Sequence, residues 1–270
     1  MDGYGRLRNA SRIHLVVAVA GGLLFEAAYL LGGTGTGRTA YSVSLYGFML
    51  AVILTAVFFL LWGYQKTDSV FLLLSGIAVL SWFLGILFYT SYVFILGEVL
   101  VYPSVAQFAF HGFHLVIVPL LFYAMGRRGV DFWKPALLPV VGAFVFPFVA
   151  YVMTDTGVLV TAYNVFYLTV TVLAAVLAAH LVAQRTLPLF GGALLLFFAA
   201  DIYFISTTFV KRDPAILFLH PIWFTASALI SYSLIRYASE KESFLSGDLS
   251  ESARENERHG EERRGDAESG

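Results

Sequence analysis

The chain is built from unbroken apolar runs of about 20 residues, set apart by short polar punctuation. A helix of that length spans a bilayer core of roughly 30 Å at about 1.5 Å per residue. Eight such runs predict eight helices, over about 13–32, 41–63, 69–93, 104–125, 135–154, 157–183, 187–209 and 215–238. Their ends carry the residues that start and stop helices. Pro103 precedes the fourth run, Gly126 closes it, Pro135 opens the fifth and Pro188 falls in the first turn of the seventh. Thr154–Gly157 and Lys211–Pro214 read as tight turns.

Loop charges orient these spans. With the N-terminus inside, the inner segments before the tail hold Arg6, Arg8, Arg12, Lys66, Arg127, Arg128, Lys134, Arg185 and Arg236. The outer loops hold Arg38, Lys211 and Arg212. The expected fold is therefore an all-α polytopic membrane bundle with both termini cytoplasmic. Residues 1–12 form a short basic N-terminal segment, 13–238 the eight-helix transmembrane domain and 239–270 an acidic cytoplasmic tail. That tail holds ten acidic and five basic residues with almost nothing apolar to bury, a composition that predicts disorder. The expected location is the cell membrane, crossed several times.

Composition agrees with this and narrows the chemistry. The chain is 59% hydrophobic and 13% charged, with a mean hydropathy of +0.77. A soluble domain could not cover so much apolar surface with polar groups. The absence of cysteine excludes disulfides, thiolate chemistry and cysteine metal sites. The Gly-rich stretch GGTGTGR, 32–38, lacks the lysine–hydroxyl pair of a phosphate loop. No cofactor, resident metal or nucleic-acid partner is expected, and no span contains the lysine that a retinal protein needs.

Polar residues inside the spans are the candidates for function, because ionisable groups are costly in hydrocarbon. They are Glu26, His111, His114, Asn164, Asp201 and His220. Helix rise places Glu26 and Asp201 about 21 Å above the inner edge, and His220, Asn164 and His111 about 9, 10 and 12 Å below the outer edge. Five helices thus put a polar group into one layer in the outer half, with His114 about one turn deeper. His111 and His114 share a face, being about 60° apart around the helix. A carboxyl group buried alone favours its protonated form and a buried imidazole its neutral form, so the acids and histidines are expected to pair across the bundle. Pro119, Pro147 and Pro221 interrupt the helix ladder near this layer and favour a pocket over a tight seam. Tyr29, Trp82, Tyr89, Tyr163, Tyr203 and Trp223 fall near the same level.

Three functions are compatible with such a layer. It can be a structural hydrogen-bond network, a ligand- or proton-sensing pocket open to the outer face, or an acid–base or metal-assisted lipid hydrolase. The preferred reading is sensing, with the six polar residues binding an unknown small-molecule or lipid ligand. If histidine protonation is the signal, the response changes between about pH 5 and 8.

Two stretches carry a resemblance to known families. SWFLGILFYTSYVFILGEVLVYPSVAQFAF, 81–110, resembles the multi-helix membrane input regions that precede diguanylate cyclases and sensor kinases in prokaryotes. Trp82, Gly85, Tyr89, Pro103, Ser104 and Ala106 match that pattern, and Gln107 stands where the family has an aspartate. GGALLLFFAADIYFI, 191–205, resembles the family's Gly-rich helix with a buried aspartate, here Asp201. The resemblance implies an input module that, with no output domain after the eighth span, signals through a separate cytoplasmic protein. A weaker similarity, through Asp201 and His111, is to eight-helix lysoplasmalogenase-like proteins and implies a lipid hydrolase instead. The paired Gly–Asp motif expected on an earlier helix is missing.

Overall fold

The computed structural model of the protein describes residues 3–31, 37–97, 104–126, 158–185, 187–209 and 219–239. These form seven α-helices: α1 (Gly3–Leu31), α2 (Gly37–Thr67), α3 (Val70–Thr90), α4 (Val105–Gly126), α5 (Val158–Ala183), α6 (Pro188–Phe209) and α7 (219–239). The described residues are all-α. Five of the helices are long and apolar enough to cross a membrane, and part of α6 is a shorter apolar helix. The expected fifth span, 135–154, the 98–103 connection and the acidic tail from 240 lie outside the described residues.

Two helix ends differ from their sequence-based bounds for visible reasons. Helix α1 starts at Gly3, well before its apolar run, so residues 3–12 extend the helix. Leu7 explains this: it is buried against Phe59 of α2 and Ile235 of α7, which rewards helical structure below the lipid-length stretch. Helix α3 continues into a π-turn, Ser91–Leu96, which ends at Gly97 with φ of 66°. A side chain there would strain the left-handed backbone, which glycine adopts freely. At the other end of α3, Asp68 (φ 52°) and Ser69 make the turn from α2 in two residues.

Neighbouring helices meet at small residues. A Cβ on Gly21 would fall 2.2 Å from Phe48, one on Gly112 2.9 Å from Ser81, and one on Gly191 2.9 Å from the Ala178 carbonyl. These positions bring α1 to α2, α4 to α3 and α6 to α5 at the close distance typical of membrane helices. Packing runs in chain order from α1 to α4, then from α4 to α5 and α6.

Helix α7 is central among the described helices. No residue from 219 to 235 is exposed. Phe224 packs on Phe48 of α2, Trp223 on Trp82 of α3 and Phe204 of α6, and Pro221 faces Gly22 of α1. Three of its serine hydroxyls bond back to their own helix: Ser227 to the Trp223 carbonyl, Ser231 to Ala228 and Ser233 to Ile230, each at 2.9 Å. These three hydroxyls therefore sit in the core with their donors satisfied.

The contacts also fix helix directions. Leu7 meets Ile235 while Gly22 meets Phe224, so α1 and α7 are antiparallel and both described ends lie at one face. Arg6, Arg8, Arg12, Lys66, Arg185 and Arg236 belong to that face, whereas Arg38 starts α2 at the other. His111 meets Tyr163 and His114 meets Thr171, so α4 and α5 run parallel. The chain consequently leaves α4 at one face and starts α5 at the opposite one.

Candidate functional site

The face opposite the described termini holds a cavity of about 270 Å³. Among the described residues six helices wall it, near the starts of α2, α4, α5 and α7 and the ends of α3 and α6. Tyr46 comes from α2, Trp82, Ile86 and Tyr89 from α3, Gln107 and Phe110 from α4, and Tyr163 and Tyr167 from α5. Phe204 of α6 and His220 and Trp223 of α7 complete the wall. Eight of these eleven residues are aromatic.

Sequence spacing explains how these rings come together. Trp82 and Ile86 lie four residues apart on α3, as do Tyr163 and Tyr167 on α5, and each pair shares a helix face. Gly85 removes the side chain between α3 and α4, and a Cβ there would stand 2.2 Å from the Phe110 ring. Phe110 therefore lies against α3, 4.5 Å from Trp82 between ring centres. Trp82 in turn meets Trp223 at 5.4 Å and Phe197 at 4.6 Å. Aromatic rings at these separations favour tilted and edge-on geometries, and that is what the cluster shows.

Behind this lining lies a buried pair. His114 Nε2 is 2.9 Å from Asp201 Oδ2, and both side chains are fully buried. Among the described residues no donor is aligned on Oδ2, so the contact is close in distance without being a linear hydrogen bond. Trp223 Nε1 donates to Asp201 Oδ1 at 2.8 Å, and the Tyr167 hydroxyl also reaches the carboxyl group. Two of the carboxyl group's partners are thus cavity-lining residues. His114 Nδ1 lies 3.3 Å from the Phe110 carbonyl, and Nε2 lies 3.2 Å from the Thr171 hydroxyl. A carbonyl only accepts, so Nδ1 is the donor to Phe110 and Nε2 is the nitrogen that faces Asp201 and Thr171.

His111 is held separately. Its Nδ1 donates to the Gln107 carbonyl at 2.7 Å and shares that donor with Tyr163 Oη, also at 2.7 Å. Its Nε2 is buried without a hydrogen-bond partner among the described residues. His111 packs on Tyr167 at 4.4 Å and lies 6.2 Å from His114 between ring centres. The two histidines share a face, yet each has its own partners.

The remaining candidates divide. His220 lines the cavity, edge-on to Tyr46 at 4.7 Å and to Trp223 at 5.6 Å. Asn164 is buried but points about 100° around α5 from Tyr163 and does not line the cavity. Glu26 is not brought to this cluster. It is half-buried beside a separate, shallow depression that it shares with Val19, Leu23, Leu196, Pro221 and Thr225. Of the aromatic residues noted at this depth, Trp82, Tyr89, Tyr163 and Trp223 line the cavity, Tyr203 is 48% exposed, and the Tyr29 side chain lies outside the description.

Reading the sequence by charge misses Tyr46, Tyr167 and Thr171. The last two had a signal: Tyr163, Tyr167 and Thr171 follow one another at four-residue steps, a hydroxyl stripe along one face of α5. Tyr46 had none, since nothing in its neighbourhood marks it. Among the described residues no three His, Asp or Glu side chains are grouped to hold a metal ion. No family model, curated protein or solved structure matches the chain.

Proposed function

We propose that the protein is a multi-pass sensing module of the cell membrane, which binds a small ligand in the aromatic cavity and passes the event to a separate cytoplasmic protein. The observation that carries this reading is the link between cavity and core. Trp223 and Tyr167 line the cavity and at the same time bond Asp201, which meets His114 in the interior. An occupant that shifts either ring alters the buried pair, which joins α4 to α6 and, through Trp223, to α7. Motion of α7 reaches the opposite face, where Arg236 lies.

The topology supports the same picture. Six basic residues cluster at the face of the described termini, which the positive-inside tendency assigns to the cytoplasm. The cavity then opens in the outer half of the bilayer. Residues 127–157 join opposite faces of the bundle, and their apolar run at 135–154 has the length of one crossing, which makes eight spans. The likeness to membrane input regions fits as well, because its Trp82 and Gly85 are the residues that shape the cavity wall. The lipid-hydrolase reading draws less support: Asp201 stands behind Trp223 and Tyr167 and does not itself line the cavity.

Purified protein in lipid nanodiscs tests this. Tryptophan emission is followed during titration with small amines, aromatic solutes and ether lysolipids. A saturable change that Tyr167→Ala abolishes supports the sensing reading. Silence towards every solute, together with steady release of aldehyde or headgroup from the lysolipid, replaces it with hydrolysis.

A further inference from the structure

We infer that the cavity takes a small organic ammonium ion carrying an oxygen acceptor, of about the size of choline. This rests on the pocket proposed above and narrows its ligand to one chemical class. Four observations converge on it.

The first is the wall. Tyr46, Trp82, Tyr167 and Trp223 approach from four different helices, with further rings between them. A cation among ring faces is attracted by their quadrupoles, and the attraction grows where water is excluded. The second is charge. Among the described residues no Lys or Arg lines the cavity. An anion would find no basic side chain among the described lining residues to balance it. The third is a spare donor. Trp82 is 2% exposed, and its indole N–H has no hydrogen-bond partner among the described residues. Buried donors are normally satisfied, so an acceptor oxygen on the occupant suits this position. The fourth is size. At about 270 Å³ the cavity falls below the roughly 300 Å³ at which sites for drug-sized ligands begin.

A free solute and the headgroup of a choline lipid share this chemistry. The full chain is therefore placed in nanodiscs of phosphatidylglycerol and, separately, of phosphatidylcholine. Each is titrated with choline, with 3,3-dimethylbutan-1-ol and with tetramethylammonium while tryptophan emission is read. The alcohol copies choline with carbon in place of the charged nitrogen, and tetramethylammonium keeps the charge but has no oxygen.

In phosphatidylglycerol discs choline is expected to saturate the signal, with the neutral alcohol at least tenfold weaker and tetramethylammonium about tenfold weaker. Trp82→Phe should close the gap between choline and tetramethylammonium. A choline response that phosphatidylcholine discs suppress identifies the headgroup as the source, and an equal response in both identifies a free solute. If the alcohol binds as well as choline, the cationic ligand is overturned while the pocket stands. That comparison needs no variant, so it holds even where Trp82→Phe fails to fold. A gap unchanged in Trp82→Phe removes the oxygen acceptor. Silence to all three, with aromatic solutes and lysolipids also silent, overturns the pocket itself.

Discussion

Asp201 and Glu26 are both acids set in the second half of an apolar helix, at nearly the same expected depth. The structure treats them differently. Asp201 is fully buried, in contact with His114 and hydrogen-bonded by Trp223. Glu26 is half-buried beside a shallow depression on α1, the least buried of the five candidate spans among the described residues. The stripe of each helix explains the outcome. Asp201 follows Leu194, Phe197 and Phe198, all of them 0% exposed, at seven, four and three residues. Glu26 follows Val19 and Leu23, which are 40% and 67% exposed, at seven and three residues. Depth along a span says how far a group is from water, and rotation about the span says whether it has company.

The two regions can be separated by substitution, beginning where the contrast is greatest. His114→Leu leaves the Asp201 carboxyl group buried without its partner and should cost about 3 kcal/mol. Glu26→Leu should change stability by less than about 0.5 kcal/mol, as surface substitutions do. Denaturation of each variant in detergent measures both. The double variant His114→Leu with Asp201→Leu should recover much of the loss, since two apolar side chains leave no buried polar group without its partner. Equal losses for His114→Leu and Glu26→Leu would erase the distinction.

Glycines give a second, smaller contrast. Gly85→Ala drives a methyl group into Phe110 at the cavity wall, where the nearest ring carbon is 2.2 Å away, and should cost about 2 kcal/mol. Gly22→Ala, near Glu26, meets Pro221 at 3.4 Å, an ordinary contact, and should be tolerated. Thermal unfolding midpoints of the pair decide this, and ligand titration shows whether Gly85→Ala also narrows the cavity.

Trp223→Phe keeps a ring in place but removes the donor to Asp201 Oδ1. It should cost about 1 kcal/mol and shift the emission of the remaining tryptophans. A neutral result would mean that the indole N–H does not support the carboxyl group. Smallest of all, Glu26→Gln should be silent in both stability and cavity titration. A change in titration there would draw the α1 depression into the site and weaken the contrast from the other side.

Much of the candidate site was legible because charge is rare in these spans. Asp201, His111, His114 and His220 announce themselves against an apolar background, and three of them, Asp201, His111 and His114, are neighbours in the structure. His220 reaches the same assembly through Trp223. Less was legible for residues that carry no charge. Tyr167 and Trp223 connect cavity to core, yet tyrosine and tryptophan are equally suited to membrane interfaces and to packing, so their identity alone assigns neither role.

By itself the sequence determined the helical runs, their punctuation, the bias of basic residues and the depth of each polar group, because a bilayer ties all of these to length and charge. Only the tertiary structure decided that α7 is central and α1 peripheral, and that Asp201 meets His114 while Glu26 does not. The physical reason is that lipid and protein interior are equally apolar. A helix that is greasy on every side carries no preferred face, and its rotation is settled by how small residues and rings fit against neighbouring helices.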